Sequence, residues 1–149
     1  MALTLSDAFC VDRYRSEFVD LIKTGTVDIV FANERELHSL YQTADFDSAV
    51  AALRNDVKLA AVTRSEKGCL VVSRESNEAV DAAPIDRLVD ATGAGDLFAA
   101  GCLIGLAREQ DHRDAARLGA IAAAEVIQHL GARPETSLKA LAQDAGFAI

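Results

Sequence analysis

The sequence lacks several features that would assign it to a common functional class, and the first is an excess of basic residues. Only 15 lysines and arginines stand against 23 acidic residues, which gives a formal net charge of −8 at pH 7. Affinity for nucleic-acid backbones comes mainly from clustered Lys and Arg, so this balance argues against a nucleic-acid partner. A polyphosphate bound in a local pocket remains compatible with it.

Cysteine is also scarce. The three cysteines have no CxxC spacing and lie far apart in the chain, at Cys10, Cys69 and Cys102. No zinc site is readable from this pattern. An odd number of scattered thiols in an acidic chain predicts reduced cysteines and a cytoplasmic protein.

Long hydrophobic runs are missing as well. The longest, such as residues 120–124, fall far short of the roughly 20 apolar residues that span a bilayer. The opening residues 1–7 have neither the basic flank nor the apolar stretch of an export signal. The sequence therefore predicts a soluble protein that is not exported and has no membrane partner.

Two widespread nucleotide-binding motifs are absent too. No segment ends in the Gly-Lys-Ser/Thr of a P-loop. Gly93 and Gly95 begin a Gly-x-Gly pattern, but Phe98 stands where a dinucleotide-binding fingerprint needs a third small residue, and no acid follows at the strand position that would bind a ribose. These departures disfavour a nicotinamide-binding half domain.

What the sequence does contain is a regular alternation of strand and helix patterns over 149 residues, half of them hydrophobic, which fits one domain at 1–149. Strands are predicted at 3–5, 28–32, 59–63 and 69–73, a loop at 74–78, and an extended segment at 79–89. Helices are predicted at 12–23, 34–41, 46–53, 96–108, 112–130 and 135–143. Because the strands lack polar alternation, we expect an α/β fold with helices on both faces of a mostly parallel sheet.

The long helix predicted up to Leu130 is divided into an apolar and a polar face. The residues expected to be buried are Gly119, Ala122, Ala123, Val126, Ile127 and Leu130, and those expected to face solvent are Asp114, Arg117, Glu125 and Gln128. Gly131 is predicted to end this helix, with Pro134 as a further stop signal.

The strongest functional signal is DATGAGD, residues 90–96. The small residues Gly93, Ala94 and Gly95 at a helix start let backbone N–H groups converge on an anion, and the helix dipole adds positive potential there. Asp96 is then either a surface acid stabilised by the dipole or a base that accepts a proton from an attacking hydroxyl. The turn alone favours the first interpretation.

Residues 90–101, DATGAGDLFAAG, closely resemble the carboxyl-terminal signature of the ribokinase-like (PfkB-type) kinases. The resemblance implies a three-layer α/β/α fold in which residues 93–95 form the anion hole and Asp96 is the catalytic base. It further implies that ATP and magnesium are used to phosphorylate a hydroxyl of a sugar or a nucleoside.

The resemblance also implies metal positions. Asp90 and Thr92 correspond to residues that help hold a monovalent cation such as potassium, although Ala91 departs from the usual threonine. Asn33 and Glu36 resemble an Asn-x-x-Glu motif that helps place magnesium and phosphate in the family. By themselves these two residues read as a helix cap and a first-turn acid.

Nucleotide contacts are implied at two further segments. TRSEKG, starting at Thr63, resembles a Thr-x-Gly-x-x-Gly turn, so Thr63, Ser65 and Gly68 would contact the phosphates, with Ser65 standing where glycine is commoner. Alone, this segment reads as a hairpin turn with solvated charges. HLGARP, which contains Gly131, resembles the segment on the adenine side of the ATP site, and His129 within it reads as an ordinary helix-end residue.

The resemblance covers all 149 residues but begins in the middle of the family's fold. The Gly-Gly substrate motif, most of the acceptor pocket and the β lid belong to the amino-terminal half and find no counterpart here. We therefore expect a truncated ribokinase-like fold, nearest to bacterial adenosine-kinase-type members, whose exposed sheet edges favour homo-oligomers. The alternative from another class is a non-catalytic fragment that keeps the scaffold and some nucleotide affinity.

Overall fold

Five strands form one sheet in the order in which they occur along the chain. They are β1 (Ala2–Thr4), β2 (Ile29–Asn33), β3 (Leu59–Thr63), β4 (Cys69–Ser73) and β5 (Asn77–Val80). β1, β2 and β3 are parallel, whereas β4 runs antiparallel to β3. The mostly parallel α/β sheet is therefore confirmed, while the loop prediction for 74–78 was wrong at its end because β5 begins inside it.

The structure is a computed structural model that describes every residue from 1 to 149. Its contacts group into two compact units. The first unit comprises Met1–Arg64 with Cys69–Ala79, and the second comprises Ser65–Gly68 with Val80–Ile149. The assignment of 1–149 to a single domain stays a prediction.

The first unit contains four helices: α1 (Ala8–Arg13), α2 (Arg15–Lys23), α3 (Glu34–Tyr41) and α4 (Phe46–Asp56). They bury one continuous apolar core with the strands, which includes Leu5, Val11, Ile22, Val30, Leu37, Leu40, Leu53, Val62 and Val72. The single helix predicted at 12–23 was wrong. The first helix starts earlier because the Asp7 carboxylate accepts the Cys10 N–H at 2.8 Å, and the backbone breaks at Tyr14.

The second unit contains three α-helices, α5 (Ala94–Ala107), α6 (His112–Val126) and α7 (Leu138–Asp144), and one short 3₁₀-helix at Ser65–Lys67. α5 and α6 approach closely because both carry glycine at the contact. A Cβ atom on Gly101 would lie 2.6 Å from the Leu118 carbonyl oxygen, and one on Gly119 would lie 2.6 Å from that of Phe98. Any side chain at either position would force the two helices apart.

The end of α6 departs from the prediction. The helix ends at Val126 rather than Leu130, and Gly131 lies in an irregular segment at 127–137 with φ +93°. The predicted faces are reversed at two residues, because Leu130 is 79% exposed and Glu125 is 8% exposed. None of the seven helices is long and apolar enough to cross a membrane.

Candidate functional site

Asn33 and Glu36 form a reciprocal cap at the start of α3. The Asn33 side-chain oxygen accepts the Glu36 N–H at 2.9 Å, and one Glu36 carboxylate oxygen accepts the Asn33 N–H at 2.9 Å. The other carboxylate oxygen accepts the Asn33 side-chain amide at 2.6 Å. The interpretation of Asn33 as a helix cap is therefore confirmed, and its partner is the acid of the same motif.

Glu36 is only 5% exposed although it belongs to a first helical turn. Burial raises the pKa of its carboxyl, the bond from the Asn33 N–H works against this shift, and the negative charge of Asp7 adds to it. Each carboxylate oxygen takes one donor from Asn33 and keeps a further lone pair. The pair therefore fits an indirect magnesium site, in which a metal-bound water would donate to the carboxylate.

Thr63 lies beside this cap. Asn33 and Thr63 are register partners at the carboxyl ends of the parallel strands β2 and β3. The residue after Thr63 is Arg64, whose guanidinium lies 3.8 Å from the centre of the Phe46 ring and 3.3 Å from a Glu34 carboxylate oxygen. The first unit thus brings three of the predicted site residues, Asn33, Glu36 and Thr63, to one edge of the sheet.

The turn after Thr63 explains why glycine is common at the position of Ser65. Ser65 has φ +54°, in the left-handed region that glycine adopts without strain. Gly68 has φ +79°, its N–H donates to the Ser65 carbonyl at 3.0 Å, and a Cβ atom there would lie 2.0 Å from the Val80 carbonyl oxygen. Only glycine fits at 68, whereas Ser65 is held in a conformation that serine rarely adopts.

The glycine turn before α5 is built around Gly93. This residue caps the helix with φ +81°, and a Cβ atom on it would lie 2.6 Å from the Ala132 Cβ. The Ala94 N–H donates to the Ala91 carbonyl, and the Leu97 N–H donates to that of Gly93. The N–H groups of Gly95 and Asp96 lie between these two and have no acceptor in the protein.

The space in front of these two N–H groups is open. Apart from its chain neighbours and the backbone of its own helix, nothing lies within 4 Å of a Cβ atom built on Gly95, and both Gly95 and Asp96 are exposed. The Asp96 carboxylate forms neither an ion pair nor a hydrogen bond within the protein. Two unpaired donors at a helix start, with the dipole behind them and no side chain in front, fit a phosphate group.

Asp90 ties the glycine turn to the segment after α6. One of its carboxylate oxygens accepts the Thr92 N–H at 2.9 Å and the Thr92 hydroxyl at 2.6 Å, while the other accepts the Gly131 N–H at 3.0 Å. The Thr92 hydroxyl, the Gly131 N–H and the Thr92 N–H, in that order, lower the pKa of Asp90 to about 2. The assignment of Asp90 and Thr92 to a monovalent cation stays a prediction.

We expect Asp90→Asn to destabilise the fold in a pH-dependent manner, because an amide replaces one of the two acceptor oxygens by a donor. A carboxyl whose pKa is depressed on folding stabilises the native state above its unfolded pKa, about 3.9, and loses this effect as pH falls through the folded value. The stability difference between wild type and Asp90→Asn should be constant from neutral pH to about 4 and shrink towards pH 2. Urea denaturation of both proteins over this range measures it, and a difference that persists unchanged to pH 2 would contradict the role of Asp90.

A buried carboxylate that the sequence patterns assigned to solvent also holds the segment after α6. Glu125 accepts the N–H groups of Glu135 and Thr136, each at 2.8 Å, and lies 3.3 Å from the His129 ring. His129 lies outside the helix, so its interpretation as a helix-end residue was wrong. The one available signal was the i,i+4 spacing of Glu125 and His129.

Each unit thus holds its own part of the predicted site. The first contains Asn33, Glu36 and Thr63, and the second contains the Ser65–Gly68 turn, the 90–96 turn and Gly131. No group of three or more His, Cys, Asp or Glu side chains is arranged to hold a metal ion directly. A cavity of about 210 Å³ lies among α5, α6 and α7, but none of the predicted site residues lines it.

Comparison with known proteins agrees with these features. The model of the pfkB carbohydrate kinase family matches residues 4–139. Adenosine kinase from Sinorhizobium meliloti has a solved structure that is 51% identical, with a TM-score of 0.94, over 97% of this chain and 44% of the other. The α/β fold of the ribokinase family is thereby confirmed.

Two further relatives extend the comparison. Cytidine kinase from Thermococcus kodakarensis is 37% identical over 126 residues, which are 79% of this chain and 45% of that protein. The ribokinase of Arabidopsis thaliana, solved in complex with ribose and ATP, is 27% identical with a TM-score of 0.72, over 83% of this chain and 42% of the other. The chain thus spans less than half the length of each relative.

Proposed function

Because the chain belongs to the pfkB family of carbohydrate kinases, we propose that it forms the nucleotide-binding part of an ATP-dependent phosphotransferase that acts on a hydroxyl of a sugar or a nucleoside. The observation that carries this proposal is the open glycine turn. It offers the unpaired N–H groups of Gly95 and Asp96 beside an unpaired carboxylate.

In the proposed reaction, Asp96 accepts the proton of a primary hydroxyl while the hydroxyl oxygen bonds to the γ-phosphorus of ATP. The bond from that phosphorus to the β–γ bridging oxygen breaks, which leaves a phosphomonoester and ADP. Negative charge develops on the transferred phosphoryl oxygens, and the N–H groups of Gly95 and Asp96 are oriented in advance to stabilise it. The turn at residues 93–96 therefore acts as the anion hole, with the N–H groups of Gly95 and Asp96 as its donors, because the Ala94 N–H is already bonded to the Ala91 carbonyl.

Magnesium would neutralise phosphate charge when bound. Asn33 and Glu36 would hold it through water, since Glu36 keeps acceptor capacity on both oxygens. Thr63, Ser65 and Gly68 would contact the phosphates of the nucleotide, and Gly131 would lie on its base side. The engaged carboxylate of Asp90 fits a structural role first, and with Thr92 it would lie next to any potassium ion.

Ribose-containing acceptors are favoured over other alcohols. The 51% identical protein is an adenosine kinase and the 37% identical one a cytidine kinase, and both names denote nucleosides, which consist of a base and ribose. The more distant ribokinase was solved with ribose itself. We therefore propose a primary hydroxyl of ribose as the phosphate acceptor, with adenosine as the first candidate.

A titration of the purified chain with Mg-ATP, together with an assay of ADP formation, tests the proposal. We expect ATP to bind to the chain, and in a protein that includes the acceptor pocket we expect ADP formation to respond to adenosine more than to ribose or to water alone. Binding without ADP formation for any acceptor would favour the alternative of a non-catalytic fragment that keeps nucleotide affinity. Failure of the folded chain to bind Mg-ATP would overturn the proposed function.

A further inference from the structure

Glu125 is a carboxylate 8% exposed near the end of α6. Ala124 and Val126 on either side of it are buried too, and only one other acidic residue, Glu36, is buried in the whole chain. An ionised carboxylate in such surroundings is costly unless donors compensate for the lost water. Its hydrogen bonds therefore show what this residue holds in place.

Those donors all belong to the irregular segment that follows α6. One oxygen of Glu125 accepts both the Glu135 N–H and the Thr136 N–H at 2.8 Å, and the other lies 3.3 Å from the His129 Nε2. Burial opposes ionisation of Glu125, but the Thr136 N–H, His129 and the Glu135 N–H together lower its pKa. The carboxylate is thus charged at neutral pH. Its hydrogen bonds hold His129 at one end of residues 129–136 and Glu135 and Thr136 at the other.

This segment lies next to the anion-binding turn. Ala132 packs so closely on Gly93 that no side chain fits between them, and the Gly131 N–H binds Asp90 just before the turn. A ligand whose phosphate binds at Gly95 therefore has its remaining part within reach of residues 130–136. Leu130 in this segment is 79% exposed, and an aliphatic side chain in that state suits the flat apolar face of a nucleobase.

We propose that Glu125 is a positioning residue, which fixes residues 130–136 in the conformation that contacts the base of the nucleotide and so determines the preference for ATP over bare tripolyphosphate. This inference rests on the proposed function, since it requires a nucleotide at the glycine turn. Glu125 itself touches neither the phosphates nor the acceptor. Its effect is the prior ordering of a segment whose backbone has no helix or strand to hold it.

Two variants of Glu125 distinguish the effect of its hydrogen bonds from the effect of its negative charge. Glu125→Gln keeps a side-chain oxygen for the Glu135 and Thr136 N–H groups, whereas Glu125→Leu fills the same buried space but accepts no bond. Asp144→Ala is the matched control, because it removes an exposed acidic side chain of the same unit that lies outside residues 129–136. Thr136→Pro removes one donor from the opposite side and carries the test if Glu125→Leu does not fold.

The measurements are dissociation constants for Mg-ATP and Mg-tripolyphosphate by calorimetry, with amide exchange at residues 135 and 136. In Glu125→Leu we expect faster exchange at both amides and a loss of ATP affinity of about tenfold, the cost of ordering one loosened segment on binding. Tripolyphosphate affinity should stay within about twofold, since that ligand has no base to contact the segment. Glu125→Gln and Asp144→Ala should behave as wild type towards both ligands. Thr136→Pro has no amide at residue 136, and it should follow Glu125→Leu in its affinities and in amide exchange at residue 135.

Three outcomes would overturn the inference. Unchanged amide exchange in Glu125→Leu would show that the carboxylate does not hold the segment. An equal loss of affinity for both ligands would show general damage, and an unchanged affinity for ATP would show that the segment does not contact the base. Failure of wild type to bind either ligand is a different result, because it overturns the proposed function and this inference together.

Discussion

Replacement of Asp96 by Asn is expected to lower turnover by about 10²- to 10⁴-fold, the usual contribution of a general base, while Mg-ATP affinity changes by less than about threefold. The amide cannot take the proton of the attacking hydroxyl, but the backbone N–H of residue 96 still faces the phosphate. Because the Asp96 carboxylate has no partner within the protein, its loss leaves no donor unsatisfied and should not affect folding.

The measurement is the rate of ADP formation with the acceptor that supports wild-type turnover, combined with calorimetric titration of Mg-ATP. Asp144→Asn is the matched control, since Asp144 is also an exposed aspartate of the second unit, at the end of α7. Its turnover should equal that of wild type. A turnover of Asp96→Asn equal to that of Asp144→Asn would refute the assignment of the base.

Replacement of Gly95 by Val is expected to weaken nucleotide binding by about 100-fold or more without unfolding the chain. Outside its own helix turn, nothing lies within 4 Å of a Cβ atom at Gly95, and valine has a better helix propensity than glycine, so the helix should tolerate the change. The added methyl groups would, however, occupy the space in front of the unpaired N–H groups. Loss of two hydrogen bonds to a charged group, each about 1.5–3 kcal/mol, lowers affinity by about 100-fold or more.

Calorimetry with Mg-ATP measures the affinity, and thermal unfolding measures the stability. Ala100→Val introduces the same side chain at an exposed position on the same helix and should bind ATP as wild type does. Undiminished binding by Gly95→Val would mean that the phosphate is held elsewhere. A large fall in melting temperature would instead mean that the open space is filled in solution.

Much of the fold follows from short-range patterns in the sequence. The strand at 59–63 and the helix at 34–41 with its Asn33 cap lie where the sequence predicts them, and α5 begins at Ala94, two residues before its predicted start. Strand residues of the first unit form a nearly continuous apolar run, and the caps are chosen by local side-chain chemistry. Where the residues of a single helix, strand or turn determine its conformation, the prediction from sequence and the structure agree.

The predictions from sequence fail where contacts with residues distant in the chain determine the local structure. The helical periodicity of the sequence predicted that Glu125 faces solvent. That periodicity contains no information about the backbone N–H groups of Glu135 and Thr136, which lie ten and eleven residues later in the chain and donate to Glu125. These hydrogen bonds to Glu125 hold the chain outside the helical path after Val126. The helix α6 therefore ends at Val126 instead of continuing to Leu130. The start of α7 is displaced for the same reason, since Glu135 and Thr136 donate to Glu125 and Ser137 becomes the cap.

The glycine turn and the segment after α6 share one carboxylate, that of Asp90. This one side chain therefore fixes the position of Thr92 relative to that of Gly131. Replacing Asp90 would therefore disturb two segments at once, the turn proposed for the phosphate end of the nucleotide and the segment proposed for its base end.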